Sequence, residues 1–204
     1  MQLLTTVSGP AAPLMAANVD TDVIIRIERL SDLERDALGP YAFEAWRYDE
    51  AGRERPDFVL NRPEWRGAPI VLAGPNFGCG SSREGAVWAL NAAGICVVIA
   101  PSFGGIFRNN CYQNATLPLV LPAETVAAFA EIARTQPDAP FTVDLERQEV
   151  RPPNGAPVPF EIDALRRRAL MKGVNDLGLT AEYAPRIAEF QARDRAERPW
   201  VWQL

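Results

Sequence analysis

The sequence contains no histidine and a single lysine, Lys172, and all its other basic residues are arginines. A serine or cysteine nucleophile is usually activated by a neighbouring histidine. This chain alone cannot build such a Ser-His or Cys-His pair, so any serine chemistry here must depend on another kind of activation.

Cysteine is also scarce: Cys79, Cys96 and Cys111 are too few and too scattered for a disulfide scaffold. Three thiolates can hold an open iron–sulfur cluster, but the chain has no C-x-x-C motif. Cys96 also lies within the apolar run 95–99. We therefore expect neither a cluster nor another metal site on this chain.

Long apolar runs are absent, and the N-terminus lacks a charged region followed by an apolar core. We therefore expect a cytoplasmic protein without a membrane partner. A formal net charge of −5 argues against a nucleic-acid surface. A chain of 204 residues that is 48% hydrophobic can bury a substantial core. We expect one domain over 1–204, with a C-terminal helical extension and tail.

The central part of the chain alternates between short apolar runs and helical patterns. Strands are predicted near 69–73, 95–100 and 117–121, and helices near 84–93, 105–114 and 122–134. Such alternation with short loops predicts parallel strands joined by right-handed crossovers. After Pro140, three short runs predict a hairpin-like sheet, and helices are predicted over 163–172 and 180–192. The predicted fold class is α/β.

A glycine-rich turn, G-C-G-S-S-R-E at 78–84, follows the first of these strands. Glycine permits positive φ and close approach of a ligand, and free N–H groups at a helix start favour an anion. Ser81 and Ser82 occupy a predicted N-cap position, and Arg83 adds a planar set of donors. The turn predicts a small-anion site; a capped helix with Arg83 at the surface is the alternative.

Four further segments are candidates for function. Asn18 to Asp22 is either a set of capping and turn-forming side chains or part of a catalytic site, and its two acids alone are weak evidence for a metal. The turn 101–105 follows the next strand, and ligands collect beyond the carboxyl ends of parallel strands. The arginine-rich section 26–57 resembles a lid or binding loop. Trp200 and Trp202 make the tail a candidate interface.

These segments resemble the small subunits of the isopropylmalate dehydratases, a branch of the aconitase family. The similar motifs are N-V-D-T-D-x-I-I at 18–25, G-C-G-S-S-R-E at 78–84, V-V-I-A-P-S-F-x-x-I-F-x-N-N-C at 97–111, F-E-I-D at 160–163 and D-L-G-L-T at 176–180. The resemblance implies a swivelling β/β/α domain with a partly parallel sheet and flanking helices. It also implies a separate large subunit that carries a [4Fe-4S] cluster, with no cofactor on this chain.

The resemblance assigns roles to individual residues. Ser81 would take a proton from substrate carbon, Arg83 would bind a substrate carboxylate, and Asp22 would support them. Ser82 and the backbone at Gly80 would contribute to substrate binding.

The chain departs from the family at two positions: Gly85 replaces the usual His, and Arg26 replaces the usual Pro. The segment from Arg26 to Leu38 resembles the family's substrate-selecting loop but is shorter and rich in arginine. Arg26 and Arg29 are therefore candidate substrate-binding residues.

The resemblance implies the small subunit of a hydro-lyase that interconverts 2-isopropylmalate and 3-isopropylmalate by dehydration and rehydration in leucine biosynthesis. One alternative is a related dehydratase that acts on a methyl-substituted malate or a tricarboxylate. A second, of another class, is a binding domain for small acids without catalysis.

Overall fold

A computed structural model of the protein describes residues 3–203. Eight strands form two four-stranded sheets in the described part: β1 (Thr6–Gly9), β2 (Ala11–Leu14), β3 (Ile70–Ala73), β4 (Val97–Ala100), β5 (Leu117–Val120), β6 (Phe141–Asp144), β7 (Glu149–Arg151) and β8 (Val158–Pro159). The α-helices are α1 (Thr21–Ile24), α2 (Ile27–Asp32), α3 (Glu44–Arg47), α4 (Glu84–Ala92), α5 (Gly105–Gln113), α6 (Ala123–Thr135), α7 (Ala164–Lys172), α8 (Asp176–Ala181) and α9 (Ala184–Glu197). Short 3₁₀ turns occur at 35–37, 39–41, 59–61, 63–65 and 199–202.

The first sheet is parallel throughout, in the order β2-β3-β4-β5, with α4 and α5 as crossovers between its last three strands. Every residue of β3 and β4 is buried because both faces of the sheet are covered. Val71 and Val98 face one core with α4 and the section 38–68, whereas Leu72 and Ile99 face a second core with α6. The predicted parallel arrangement is confirmed.

The second sheet is antiparallel, in the order β1-β6-β7-β8, and its apolar side joins the second core through Phe141, Val143 and Val150. Asp144 forms the β6–β7 turn by accepting hydrogen bonds from the N–H groups of Glu146 and Arg147, both at 2.9 Å. The hairpin predicted after Pro140 is therefore present, although β8 has only two residues.

The helix predicted over 180–192 is confirmed over 184–192, but the chain forms two helices, α8 and α9, with a break at 182–183. Pro185 lies in the first turn of α9, where its missing N–H is tolerated, but it could not continue a helix from α8. The predicted C-cap of α7 is confirmed, with Gly173 at φ +66°. Among the helices that the structure describes, none is both long and apolar enough to cross a membrane.

Candidate active site

The site lies beyond the carboxyl ends of β3 and β4, where two turns run side by side. Phe77 forms a parallel bridge with Phe103: its N–H donates to Ser102 O at 3.1 Å, and its carbonyl accepts from Gly104 N–H at 2.9 Å. A Cβ at Gly104 would lie 2.3 Å from the Gly78 carbonyl oxygen, so only glycine permits this approach. The turn at 101–105 therefore lies directly beside the glycine-rich turn, at the carboxyl ends of the parallel strands where a ligand site is expected.

The loop before α1 lies against the first turn and completes the site from a third direction. Gly78 N–H donates to Val19 O at 2.7 Å, and Thr21 N–H donates to Cys79 O at 3.0 Å. The Thr21 hydroxyl donates to Ser81 O at 2.9 Å. Asp20 caps α1 by accepting a hydrogen bond from Val23 N–H at 2.8 Å, so its carboxylate stabilises the start of this helix.

Ser81 and Ser82 are exposed, and neither caps α4. The N-cap residue is Arg83, with φ −120° and ψ 103°, and the helix begins at Glu84. The predicted serine cap is therefore wrong by one or two positions. Since Thr21 holds the Ser81 carbonyl and Gly80 turns the chain at φ +86°, the two serines precede the helix as an exposed segment.

Arg83 and Asp22 form an ion pair beside these serines. The Arg83 side chain is 18% exposed and that of Asp22 is 55% exposed, so the positive group is largely enclosed and the acid is not. One terminal nitrogen of Arg83 is buried and, within residues 3–203, makes no well-aligned hydrogen bond, although it contacts Asp22. The structure thus brings together Ser81, Arg83 and Asp22.

Arg29 is committed to partners within its own segment. It donates to both oxygens of Glu44 at 2.9 and 2.7 Å, and its guanidinium carbon lies 4.3 Å from the centre of the Tyr41 ring. The hydrogen bond from Arg29 lowers the pKa of Glu44, and the same bond raises the pKa of Arg29. Such a neutralised guanidinium is poorly placed to attract a further carboxylate.

Arg26 is much freer, since its nearest carboxylate is that of Glu28 at 3.6 Å and its side chain is 55% exposed. Arg26 and Arg29 line an open cavity of about 610 Å³ together with Tyr41, Glu44 and Arg55. Ser81, Ser82 and Arg83 are not part of that lining. The structure therefore places the two candidate arginines in a cavity that the serine turn does not line.

Gly85 explains how this arginine-rich segment approaches the site. A Cβ at this position would lie 2.4 Å from Cδ2 of Leu30, so Leu30 of α2 occupies the space of the missing side chain. The sequence alone marks Gly85 only as a departure from the family. Its fit to Leu30 was not detectable, because the two residues are far apart in the chain.

Asn114 was missed altogether. It is the C-cap of α5, is only 7% exposed, and donates to the Glu84 carboxylate at 2.7 Å. The sequence offered no signal for this beyond an amide near a helix end.

The cysteines do not fit a cluster held by this chain. Cys111 is buried in the first core, and burial raises the pKa of its thiol and of the Cys96 thiol. Within residues 3–203, no three His, Cys, Asp or Glu side chains are arranged to hold a metal ion.

The tail folds back on α9. Trp202 Nε1 donates to Asp194 at 2.9 Å and Arg198 pairs with the same carboxylate, while Trp200 stays 65% exposed. Hydrogen bonds from Arg198 and then Trp202 lower the pKa of Asp194. The tail thus forms an ordered turn that leaves the Trp200 side chain exposed to solvent.

Comparison with known proteins agrees with the motifs. The profile of the aconitase C-terminal domain matches residues 1–124, and the LeuD profile matches residues 127–164. The 3-isopropylmalate dehydratase small subunit of Rhodospirillum centenum is 48% identical over 201 residues, covering 98% of this chain and 99% of that protein. The protein of the same name from Dinoroseobacter shibae is 47% identical over 98% of this chain and 100% of its own length.

A solved structure extends the similarity to the fold. The crystal structure of 3-isopropylmalate dehydratase from Methanocaldococcus jannaschii is similar with a TM-score of 0.62 and 26% identity, covering 93% of this chain and 99% of that one. The predicted swivel-domain fold is confirmed. Because near-full-length relatives and a family profile agree, the chain belongs to the 3-isopropylmalate dehydratase small-subunit family, within the aconitase family.

Proposed function

We propose that this chain is the small subunit of a hydro-lyase that interconverts 2-isopropylmalate and 3-isopropylmalate in leucine biosynthesis. The reaction removes water to give an alkene diacid and adds it back with the opposite orientation. The observation that carries the proposal is the largely enclosed Arg83 beside the exposed pair Ser81 and Ser82. Relatives at 47–48% identity over 98% of the chain bear the name of this enzyme's small subunit.

Ser81 is the proposed base. Its oxygen, as the alkoxide, takes the proton from the substrate carbon when the C–H bond breaks. A serine alkoxide without histidine requires a preorganised electropositive pocket. Arg83 and the N–H groups at the start of α4 supply positive charge at this point, and Gly80 leaves the backbone accessible.

Arg83 is the proposed carboxylate clamp, and Asp22 is its partner when no substrate is bound. A substrate carboxylate would take over the buried guanidinium nitrogen that now contacts Asp22 without a well-aligned hydrogen bond. Asp22 is more than half exposed, so it can turn away from Arg83 when a substrate carboxylate takes its place. The guanidinium would remain paired in both states.

The proposed partner is a large subunit that holds the [4Fe-4S] cluster, which supplies the Lewis acid for the hydroxyl group. No residue of this chain is assigned to the cluster. The exposed serines also require a partner, because a proton-abstracting site works best when water is excluded. We propose that the large subunit covers the two turns.

A related dehydratase with a more acidic substrate is the second candidate, and Arg26 is the observation that favours it. Its exposed guanidinium, at the edge of a cavity of about 610 Å³, suits a further carboxylate better than an apolar isopropyl group. A binding domain without catalysis is the third, and it would give no turnover with any large subunit.

The test is to compare Ser81→Ala, Arg83→Lys and Ser82→Ala in the assembled enzyme with its cluster verified. Loss of a general base lowers kcat by on the order of 10²–10⁴-fold, so Ser81→Ala should act mainly on kcat. Arg83→Lys keeps the positive charge but loses the planar pair of N–H donors that can bind both oxygens of a carboxylate, so it should raise KM as well as lower kcat. Ser82→Ala should be milder.

Near-normal turnover by Ser81→Ala would refute its role as base. Wild-type assemblies should be assayed on isopropylmalate, methyl-substituted malates and tricarboxylates, which separates the first two candidates. The chain alone should be inactive and free of iron, and an active brown preparation without a partner would contradict the proposal.

A further inference from the structure

Asn114 lies at the centre of a polar network that joins three separate parts of the fold. Its side-chain amide donates to Glu84 Oε1 at 2.7 Å and to the Asn110 carbonyl at 2.9 Å. Its oxygen accepts from Trp88 Nε1 at 3.1 Å and from the Arg35 guanidinium. A buried primary amide offers two donors and two acceptor positions, and all four are used here.

The orientation of this amide follows from its partners. Trp88 and Arg35 can only donate, whereas a carboxylate and a carbonyl can only accept. Rotating the amide by half a turn would oppose two donors to its NH₂ group and two acceptors to its oxygen. The network therefore fixes one orientation of Asn114, and any group that replaces it must reproduce the same pattern.

The network meets the active-site turn at its helix end. Glu84 is the first residue of α4 and directly follows Arg83, while Trp88 lies one turn further along the same helix. At the other end of the turn, the Thr21 hydroxyl holds the Ser81 carbonyl. The exposed segment of Ser81, Ser82 and Arg83 is thus fastened on both sides, by Thr21 and by Asn114 through Glu84.

The network also reaches the arginine-rich segment. Arg35 lies in the 3₁₀ turn at 35–37, and its guanidinium carbon stands 4.5 Å from the centre of the Trp88 ring while it donates to Asn114. A movement of the 26–38 segment would therefore displace Arg35 and, through the side-chain amide of Asn114, would also shift Glu84.

We propose that Asn114 is a positioning residue: it sets the start of α4, and with it Arg83 and Ser81, and couples them to the 26–38 segment. The inference rests on the proposed function of the serine turn. Asn114 touches no reacting group and acts on α4 through its hydrogen bonds with Glu84 and Trp88.

The central variant is Asn114→Asp, which keeps the shape and the acceptors for Trp88 and Arg35 but places a carboxylate against Glu84 and against the Asn110 carbonyl. Hydrogen bonds to charged groups contribute enough for a loss of roughly 10-fold or more in kcat/KM, with a raised KM because Arg83 is displaced. Thr116→Val is the matched control. Thr116 is fully buried nearby and donates to Asn91 at 2.8 Å rather than to Glu84. It should destabilise the chain but leave kcat/KM within about 2-fold.

Reversing the hydrogen bond gives a rescue test. In Asn114→Asp with Glu84→Gln, the glutamine amide can donate to the new carboxylate, so at least part of the lost kcat/KM should return. If Asn114→Asp fails to fold, Glu84→Ala breaks the same contact from an exposed position and should show the same rise in KM.

A measurement that does not depend on enzyme activity can test this inference separately from the proposed function. In the isolated chain, backbone ¹⁵N relaxation of residues 80–86 should show increased motion in Asn114→Asp and wild-type behaviour in Thr116→Val. If the wild-type assembly fails on isopropylmalate, the proposed function fails, and the relaxation result still decides whether Asn114 orders the turn. Relaxation and kinetics that are the same in Asn114→Asp and Thr116→Val would overturn the inference.

Discussion

Replacing Gly85 by alanine should destabilise this chain, although glycine in a helix is usually the weaker choice. Gly85 is the second residue of α4 and is buried. A Cβ there would lie 2.4 and 2.6 Å from the two terminal carbons of Leu30 and 3.0 Å from its branch point. Because the branch point is also close, rotating the leucine methyl groups alone is insufficient, so the Leu30 side chain must change its conformation or α2 must shift.

The magnitude follows from two opposing effects. Alanine in place of glycine within a helix gains about 1 kcal/mol, whereas overpacking a buried site costs typically about 1–3 kcal/mol. The expected net change in the free energy of unfolding is a loss of roughly 0–2 kcal/mol. In a Leu30→Ala background the clash disappears, and the same substitution should stabilise by about 1 kcal/mol.

The assay is urea unfolding of the wild type, both single variants and the double variant, which gives the coupling energy between the two sites. We expect a coupling of roughly 1–3 kcal/mol, as is usual for residues in direct contact. Stabilisation by Gly85→Ala of about 1 kcal/mol in both backgrounds would refute the packing argument. Since α2 carries Arg29 and begins directly after Arg26, Gly85→Ala should also change selectivity among substituted malates.

Two further predictions concern the same segment. Arg26→Leu should lower kcat/KM for acidic malates relative to isopropylmalate, because the Arg26 guanidinium lines the cavity and is exposed, whereas Arg29→Leu should lower stability and reduce kcat/KM for all substrates alike. An equal effect of Arg26→Leu on every substrate in the panel would remove that residue from selectivity. The Arg29–Glu44 pair should stabilise the fold above the ordinary Glu44 pKa of 4.5 and lose this contribution as pH falls through the lowered folded-state pKa. Urea unfolding at pH 7 and at low pH should show this loss in the wild type and a smaller one in Arg29→Leu; identical pH dependence would contradict it.

The parallel sheet was predictable because its signals are local. The apolar runs at 69–73 and 95–100 are each followed by a glycine-containing turn and then a helical pattern, and their order alone implies parallel strands. The same turns placed the candidate site at the carboxyl ends of the strands. Ser81, Arg83 and Asp22 were predicted as neighbours, and the structure places them together.

The errors and omissions depend on contacts between distant parts of the chain. The serine cap failed because Thr21, 60 residues before Ser81, holds the Ser81 carbonyl and the helix starts later. The sequence predicts Arg29 as a substrate-binding residue because nothing in it pairs Arg29 with Glu44. Asn114 reaches Glu84 across 30 residues, and an isolated asparagine carries no sign that its buried amide has four hydrogen-bond partners. Sequence motifs identify the charged groups of the site, but they do not identify the distant residues whose hydrogen bonds position those groups.

The exposed serines and the firm attachment of their backbone have one common explanation. Thr21 and Asn114 fix the two ends of the turn through a carbonyl and a carboxylate, which leaves the hydroxyls and the free N–H groups between them uncommitted. A proton-abstracting serine needs both a fixed position and an environment from which water is excluded. This chain supplies the first through its own hydrogen bonds but leaves Ser81 and Ser82 open to solvent. The exclusion of water would come from the large subunit that we propose to cover the turn, which gives a physical reason for dividing the proposed active site between two subunits.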